Sequence, residues 1–596
     1  MSNKIFNDMH LEAKNLLDDI ETGRLGLPDM QRPFVWKDSK VRDLLDSMYH
    51  GWPVGYIMIW EAPKTYNGKD TIGLNDKNFH EPVDLIIDGQ QRLTALLAVV
   101  KGLQVLDKDF KKREIKIAFN PTKESFEVCS NAHEKDPEFI PSVYALLSES
   151  KGSVTYACQW FYERANAGRN KKGKPLLTQN ERMHIEDSIM KLMALSSYQL
   201  PILRIDATAS EEAVAEIFVR VNAMGTKLTE NDFIETLLSV YDNDLRKEIL
   251  SFCESSRIPQ DGTAYNRIIA LDPVHLIRMG VGVAFDRGRL KYAYQLMRGK
   301  VLTERNGAPH EEVRAENLAA FRKAIGNITD INIWHTFLHI VENAGYMDTS
   351  LIAGENTVVY SYVLYLKGKF TYHVPEAQLR SIIAAWMFTA ALTTMYSSSF
   401  EATIEQQLNY IHNLKTAEEY ITYLKSEMGA RLTDDFFNVT LPNQLETSSV
   451  QSPYWRAFVA SQIVLETPVL FETSLVEKYF IDGARGVTSP IEKHHLFPDD
   501  YLIKQGYVNP TQRRQMANFA FITDIKNKLI SNKAPAEYIR DIESSFSQEE
   551  YIRHLDNHAI PHGFETMTYE DFLAARRLLM AQVIRKAYDK LMRAVD

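Results

Sequence analysis

Cysteine is almost missing from this 596-residue chain. Only Cys129, Cys158 and Cys253 occur, far apart and with no CxxC. That excludes a disulfide scaffold and a cysteine-built zinc site, and a reducing cytoplasm is the expected compartment. Long apolar runs are missing too. The nearest, IIAAWMFTAALTTMY at 382–396, is shorter than the roughly 18–20 residues that span a bilayer and reads as a buried helix. The N-terminal stretch is mixed in charge and lacks the apolar centre of a secretion signal. Positive charge is not in excess: 68 Lys and Arg face 78 Asp and Glu, a formal charge of −10. This excludes a wholly basic nucleic-acid coat but leaves room for a local DNA groove. GxxxxGK, a convincing dinucleotide fingerprint and HExxH are all absent, which removes a Walker-type loop and a zincin site.

What remains is ordinary globular material, 45% apolar and 24% charged. The length predicts about two to four domains. The expected fold class is α+β. Residues 1–240 mix helix and strand, 241–450 are helical, and 451–596 form an α-rich unit with a short β portion. Val41, Leu44, Leu45 and Met48 predict an amphipathic helix over 39–50. GYIMIW at 55–60, VDLII at 83–87, REIKIAF at 113–119 and LPILRI at 200–205 predict strands. Helical spacing returns over 211–221, and RANAGRNKKGKP at 164–175 reads as a cationic loop, solvated or phosphate-contacting. Residues 286–300 interleave cations with Tyr292 and Tyr294. An amphipathic helix explains them more simply than a nucleic-acid surface.

Three N-terminal segments carry chemistry. LPDMQRPFVWK at 27–37 sets Gln31 and Arg32 beside a proline and two aromatics. In IIDGQQRLTAL at 86–96 an apolar strand meets Asp88-Gly89, and a helix should begin near Gln90. Glycine permits the tight turn, the first helical N–H groups are open to a phosphate, and Arg92 lies in that first turn. Asp88 could hold a metal or position a water. IFVRVNAMGTKLTENDF at 217–233 ends a helix at Arg220 and Asn222; Gly225 suits a positive φ, and Thr229 with Asp232 resembles an N-cap.

The C-terminal constellation is IEKHHLFPDDYL at 491–502 followed by NFAFITDIKNKLISNKAP at 518–535. Phosphodiester hydrolysis needs a base for water and a cation for the charge that develops on oxygen. Histidine suits the base. Adjacent strand residues face opposite ways, so His494 and His495 should divide the labour. A hairpin followed by a helix would bring Asn527 back toward the histidines. Asn518 could tie the loop and orient His495. Arg513, Arg514, Lys526, Lys528 and Lys533 surround the motif as candidate phosphate contacts. His554 and His558, spaced i, i+4 with His562 nearby, offer a competing zinc spacing. Without HExxH they read as structural or surface residues.

The ordered set LPDMQRPFVW, GYIMIW, IIDGQQRLTALL and FVRVNAMGTKLTENDF resembles the N-terminal module of GmrSD-type modification-dependent restriction endonucleases. It is also similar to phosphorothioate-sensing SspE-like effectors. The resemblance covers roughly residues 10–240. It implies a ParB/sulfiredoxin-like α+β domain that binds and hydrolyses a nucleoside triphosphate (GTP, ATP or UTP). By position, Gln31, Arg32, Gly89, Gln90, Gln91 and Arg92 bind the nucleotide, and Asp88 and Arg92 serve its hydrolysis. The HHLFP segment resembles the HNH, or ββα-metal, nuclease of the same enzymes. That match makes His495 the general base, His494 a metal ligand, Asn518 the loop-orienting asparagine, and Asn527 the second metal ligand. Relatives often carry an acid before the base. His494 there widens the metal choice from Mg²⁺ to Mn²⁺, Ni²⁺ or Zn²⁺. The implied partner is double-stranded DNA, with glucosylated hydroxymethylcytosine or phosphorothioate linkages, and the implied context is anti-phage defence. No membrane partner is expected, and the sequence leaves open a single chain or a homo-oligomer. An alternative of another class is a nucleotide-switched DNA-binding regulator whose HNH fold does not cut. It predicts that His495→Ala leaves function intact.

Overall fold

The computed structural model describes residues 5–26, 34, 36–61, 70–72, 78–80, 84–107, 111–150, 153–209, 213–214, 217, 234, 238, 242–300, 310–481 and 491–595. The chain is α+β and divides into two compact units, Met1–Leu250 and Ser251–Asp596. The expected border near 450 does not divide the second unit. The helix Glu376–Leu392 on one side of it packs against Pro453–Val464 and Tyr569–Arg593 on the other.

The first unit is built on a five-stranded mixed sheet. Its elements are β1 (Phe6–Glu12), α1 (Ala13–Glu21), β2 (Leu25–Gly26), α2 (Asp38–Tyr49), β3 (Ile57–Glu61), β4 (Asp84–Asp88), α3 (Gln90–Lys101), α4 (Val154–Lys171), α5 (Gln179–Met193) and β5 (Gln199–Ile205). The strand order is β1-β5-β3-β4-β2. β5 runs parallel to β3 and antiparallel to β1, while β4 runs antiparallel to β3 and parallel to β2. The central β3 is apolar at every position from Ile57 to Trp60 because both faces of the sheet are covered. Ile57 and Ile59 join a core with Leu45, Leu93 and Leu96, whereas Met58 and Trp60 join Leu85, Ile205 and Val214 on the other face. Burying each such side chain contributes about 1.5–3 kcal/mol.

Two expectations change in this unit. The cationic stretch 164–175 is not a loop over most of its length, since α4 runs through Lys171. Gly168 lies where a Cβ would sit 2.1 Å from Pro137 Cγ, so glycine there serves close packing. Arg164 donates to the carbonyls of Glu134, Asp136 and Phe139, and Arg169 pairs with Glu181. These cations hold the fold rather than offering themselves to phosphate. The strand expected over 113–119 begins only at Ile117 and pairs with Ser125–Val128.

The second unit is mostly helical. No described helix is long and apolar enough to cross a membrane. The apolar stretch at 382–396 lies largely in α6 (Glu376–Leu392), buried from Ile382 to Leu392 against α7 (Pro453–Val464) and α9 (Tyr569–Arg593). Residues 286–300 supply the short helix Leu290–Met297. The flanking Arg287 binds Glu405 and Asn409. In sequence between α7 and α9 lies a two-stranded hairpin, β6 (Ile491–His495) with β7 (Phe519–Thr523), followed by α8 (Asp524–Ile530).

Candidate functional site

Two places gather the residues singled out by the sequence. The first is the β4–α3 junction. A register shift in the β3–β4 ladder places Met58 opposite Asp88 but Ile59 opposite Ile86, so Ile87 is an extra residue. Such bulges re-aim a side chain at the end of a strand. Gly89 then turns the chain at φ +95°, and α3 starts at Gln90. A Cβ on Gly89 would lie 2.3 Å from Ile57 Cδ1, so any other residue there would be strained and crowded.

Arg92, one turn into α3, faces inward. Its guanidinium donates to Val54 O at 2.9 Å, Tyr56 O at 2.6 Å and Asp88 Oδ2 at 3.2 Å. Gly55, at φ +83°, lets the loop come close, because a Cβ there would lie 2.5 Å from Arg92 Nη1. Burial raises the Asp88 pKa, partly offset by Arg92 and by the Gly89 N–H. Burial lowers that of Arg92. Gln90 and Gln91 are half-buried beside them. Gln31, Arg32 and the 217–233 motif residues Arg220, Asn222, Gly225, Thr229 and Asp232 lie outside the described residues.

The second place is the β6–β7–α8 unit. β6 pairs His494 with Ala520 and His495 with Phe519. Neighbouring positions of a pleated strand send the two imidazoles to opposite faces. Thr523 ends β7 and caps α8 by accepting from Lys526 N, and α8 then packs on both strands. This return brings the Asn527 amide into a hydrogen bond with His494. Burial lowers His494 to about 4, with a smaller push from His495. Burial also lowers His495, opposed by Asp499 and helped by Arg514 and Arg513. Both imidazoles are therefore neutral at neutral pH, the form that accepts a proton or a metal. The Nε2 atoms of both are buried without a hydrogen-bond partner. Buried orphans of this kind are rare in a folded interior and suit a missing ion or substrate.

Asn518 sits under the turn that follows His495 and is fully buried. Its Oδ1 accepts from Phe497 N at 2.8 Å. Its Nδ2 donates to Phe497 O at 3.0 Å and Arg513 O at 3.2 Å. Its main-chain oxygen accepts from Leu496 N at 2.8 Å. The two residues after the histidines are thus clamped by one asparagine. Tyr538 adds a hydrogen bond to Leu496 O at 2.6 Å.

Residues 13–239 match the GmrSD restriction endonuclease, N-terminal domain. The match supports a GmrSD-type family, and with it a restriction-type nuclease acting on DNA. The chain is also similar to an uncharacterized protein of Methanocaldococcus jannaschii, MJ0686. The two are 21% identical over 566 residues, 89% of this chain and 87% of the other. That similarity extends well past the GmrSD span.

Within the GmrSD span, Arg92 binds main chain and Asp88 rather than standing open at the helix N-terminus. Arg92→Met would leave Asp88 buried without its cation. Breaking a fully dry pair costs about 3–5 kcal/mol, and this half-shielded one is expected to lose about 2–3. Denaturant unfolding checks this, and adding Asp88→Asn should restore part of the loss. An unchanged midpoint in Arg92→Met would refute it.

Beyond the GmrSD span, most of the cations expected near the C-terminal motif have other work. Arg513 is buried, bidentate to Asp499, and donates to Tyr507 O and Val508 O. It is therefore not a phosphate contact. Lys528 bonds Asp524, Lys533 bonds Asp541, and Lys526 lies over the Phe546 ring. Arg514 is exposed and near enough to lower the His495 pKa. The sequence missed Tyr538 and Arg576 as supports of the hairpin. The apolar stripe of α9, Tyr569, Phe572, Leu573, Met580 and Ile584, contains Arg576 at helical spacing. That cation on a core-facing stripe was the available signal.

The His554–His558 spacing builds no metal site, and no group of three or more His, Cys, Asp or Glu among the described residues is placed to hold an ion. His558 is buried between Gln462 and the Pro468 carbonyl, and His562 bonds Asp556. Burial lowers His558 from 6.5 to about 3. Between those values the unfolded chain binds a proton that the folded chain refuses. Stability is therefore full above the upper value and falls as pH drops, by up to about 1.4 kcal/mol per pH unit. Thermal unfolding followed from pH 7.5 down to 4.5 should fall more steeply in wild type than in His558→Gln; parallel slopes would contradict this.

Proposed function

We propose that this chain is a modification-dependent DNA endonuclease of anti-phage defence. In this reading the β6–β7–α8 unit is an HNH nuclease, and nucleoside triphosphate hydrolysis at the DGQQR junction regulates it. The observation that carries the reading is the joint placement of His494, His495, Asn518 and Asn527 on one strand–strand–helix unit. It gives two neutral imidazoles with open nitrogens, one beside an amide and one beside a clamped turn.

His494 and Asn527 are the donors suited to a divalent ion such as Mg²⁺ or Mn²⁺; the imidazole also admits Ni²⁺ or Zn²⁺. When bound, the ion supplies positive charge to the phosphate and the leaving oxygen. His495 takes the proton from the attacking water. Asn518 fixes the turn at 496–497 and with it the direction of the His495 ring. Arg514, exposed and close to His495, would meet backbone phosphate. At the other site, Asp88 positions a water or a metal, while Gly89, Gln90 and Gln91 offer the helix N-terminus to the nucleotide phosphates. Release of Arg92 from its carbonyls on nucleotide binding would free both the cation and the 54–56 loop. Hydrolysis would shift the chain between restrained and cutting states.

The testing experiment is cleavage of plasmid and phage-modified DNA by the purified full chain, with Mg²⁺ or Mn²⁺ and with GTP, ATP, UTP or none. Metal-dependent cutting that responds to modification and nucleotide is expected. No cutting on any substrate, with intact nucleotide hydrolysis, would favour the non-cleaving regulator instead.

A further inference from the structure

We propose that Arg576, on the C-terminal helix α9, is a positioning residue for the His495 site, an inference that rests on the nuclease reading above. Arg576 is fully buried, and it lies 59 residues from Ala517, the first carbonyl it grips beside the asparagine it supports. Its Nη1 donates to Ala517 O at 2.7 Å and its Nη2 to Phe519 O at 2.7 Å, with a longer bond to His558 O at 3.3 Å. Ala517 and Phe519 are the two neighbours of Asn518. The guanidinium fork therefore grips the main chain on both sides of the residue that clamps the turn after His495. Phe519 is also the cross-strand partner of His495, with ring centroids 4.3 Å apart.

The same helix face repeats the device two turns earlier. Tyr569 Oη donates to Gln512 O at 3.1 Å and Arg513 O at 2.9 Å. Arg513 O is also an acceptor for Asn518 Nδ2. Phe572, between them, packs on Phe497 with ring centroids 4.8 Å apart. Three residues of α9 thus hold the approaches to Asn518, and Asn518 holds Leu496 and Phe497, which directly follow His495.

A leucine would fill this space at less cost. Burying a guanidinium among carbonyls, with no carboxylate of the described residues bonded to it, is expensive for a stability device. Burial brings its pKa down to about 9, which still leaves it charged at neutral pH. What the fork supplies and an apolar chain cannot is fixed geometry at two carbonyls, one on each side of Asn518. Lysine keeps the charge but reaches as a single point.

The test uses the full chain and compares Arg576→Lys with Ile584→Ala, a buried change on the same helix two turns further on. Amide exchange at Leu496 and Phe497 and the kcat and KM of DNA cleavage with Mn²⁺ are measured alongside Tm. In Arg576→Lys we expect exchange at those two amides to rise at least about 10-fold over the control at matched stability. We expect kcat to fall about 10- to 100-fold with KM for DNA little changed. Equal exchange in the two variants, or an equal kcat loss in Ile584→Ala, overturns the proposal. If Arg576→Lys does not fold, wild type decides: the two amides must exchange only with global unfolding, and faster local exchange overturns it. Opened amides in Arg576→Lys with an inactive wild type uphold the clamp and count against the nuclease reading.

Discussion

His495→Ala is expected to lower DNA cleavage by about 10²- to 10⁴-fold, the usual worth of a positioned general base. The nucleotide hydrolysis proposed for the first unit should be unaffected. The prediction follows from two features of the site. The imidazole is kept neutral by burial, so at neutral pH it can accept a proton. Its Nε2 is buried without a partner, so no protein group competes for that position. The change also removes the ring contact with Phe519. Plasmid nicking at saturating Mn²⁺, with circular dichroism to confirm folding, makes the measurement. Cleavage within a few-fold of wild type would remove His495 from the mechanism and favour the regulator.

Asn518→Ala is expected to be the most destabilising single change in the hairpin. It strips the amide from Phe497 N and Phe497 O, in a site with no exposed surface at Asn518, and from Arg513 O, which keeps the Tyr569 hydroxyl. Each buried group left unsatisfied costs about 1–3 kcal/mol, so for the two Phe497 groups a total of about 2–4 kcal/mol is expected after partial relaxation. Cleavage should be lost together with stability. Asn518→Asp separates the two effects: Oδ1 still accepts from Phe497 N, but the donor is lost and a carboxylate faces two carbonyls. Denaturant midpoints for both variants check this, and a loss below about 1 kcal/mol in Asn518→Ala would show that water replaces the clamp.

The regulatory half of the proposed function places its switch in Arg92. A cation bound to two loop carbonyls and a carboxylate has three partners to give up before it can meet a phosphate. A nucleotide able to draw it away would loosen the 54–56 loop at the same moment. Binding would then be coupled to a local change in the first unit with no motion assumed in the sheet.

Much of the fold was legible from periodicity. The 39–50 helix, the strands at 55–60, 83–87 and 200–205, and the buried nature of 382–396 follow from side-chain patterns that repeat over a few residues. The strand–turn–helix junction was legible because Gly89 is required by a positive φ and a crowded Cβ site. The hairpin with a returning helix was legible because HHLFP, Asn518 and Asn527 sit at spacings that a short hairpin can bring together.

Other features depend on partners far away in sequence. That Arg164 is committed to the fold follows from acceptors at 134–139 that no local pattern announces. Arg513 looked like a surface cation because its acceptor, Asp499, lies 14 residues back across a turn. Local sequence fixes which residues are chemically able to act, since donor type and strand or helix period are properties of a short window. Tertiary packing alone decided which cations are spent on the fold and that Arg92 points inward. It also decided that one arginine near the C-terminus grips both sides of Asn518. Those outcomes depend on which carbonyls a buried side chain can reach, and the reach is set only when distant helices dock.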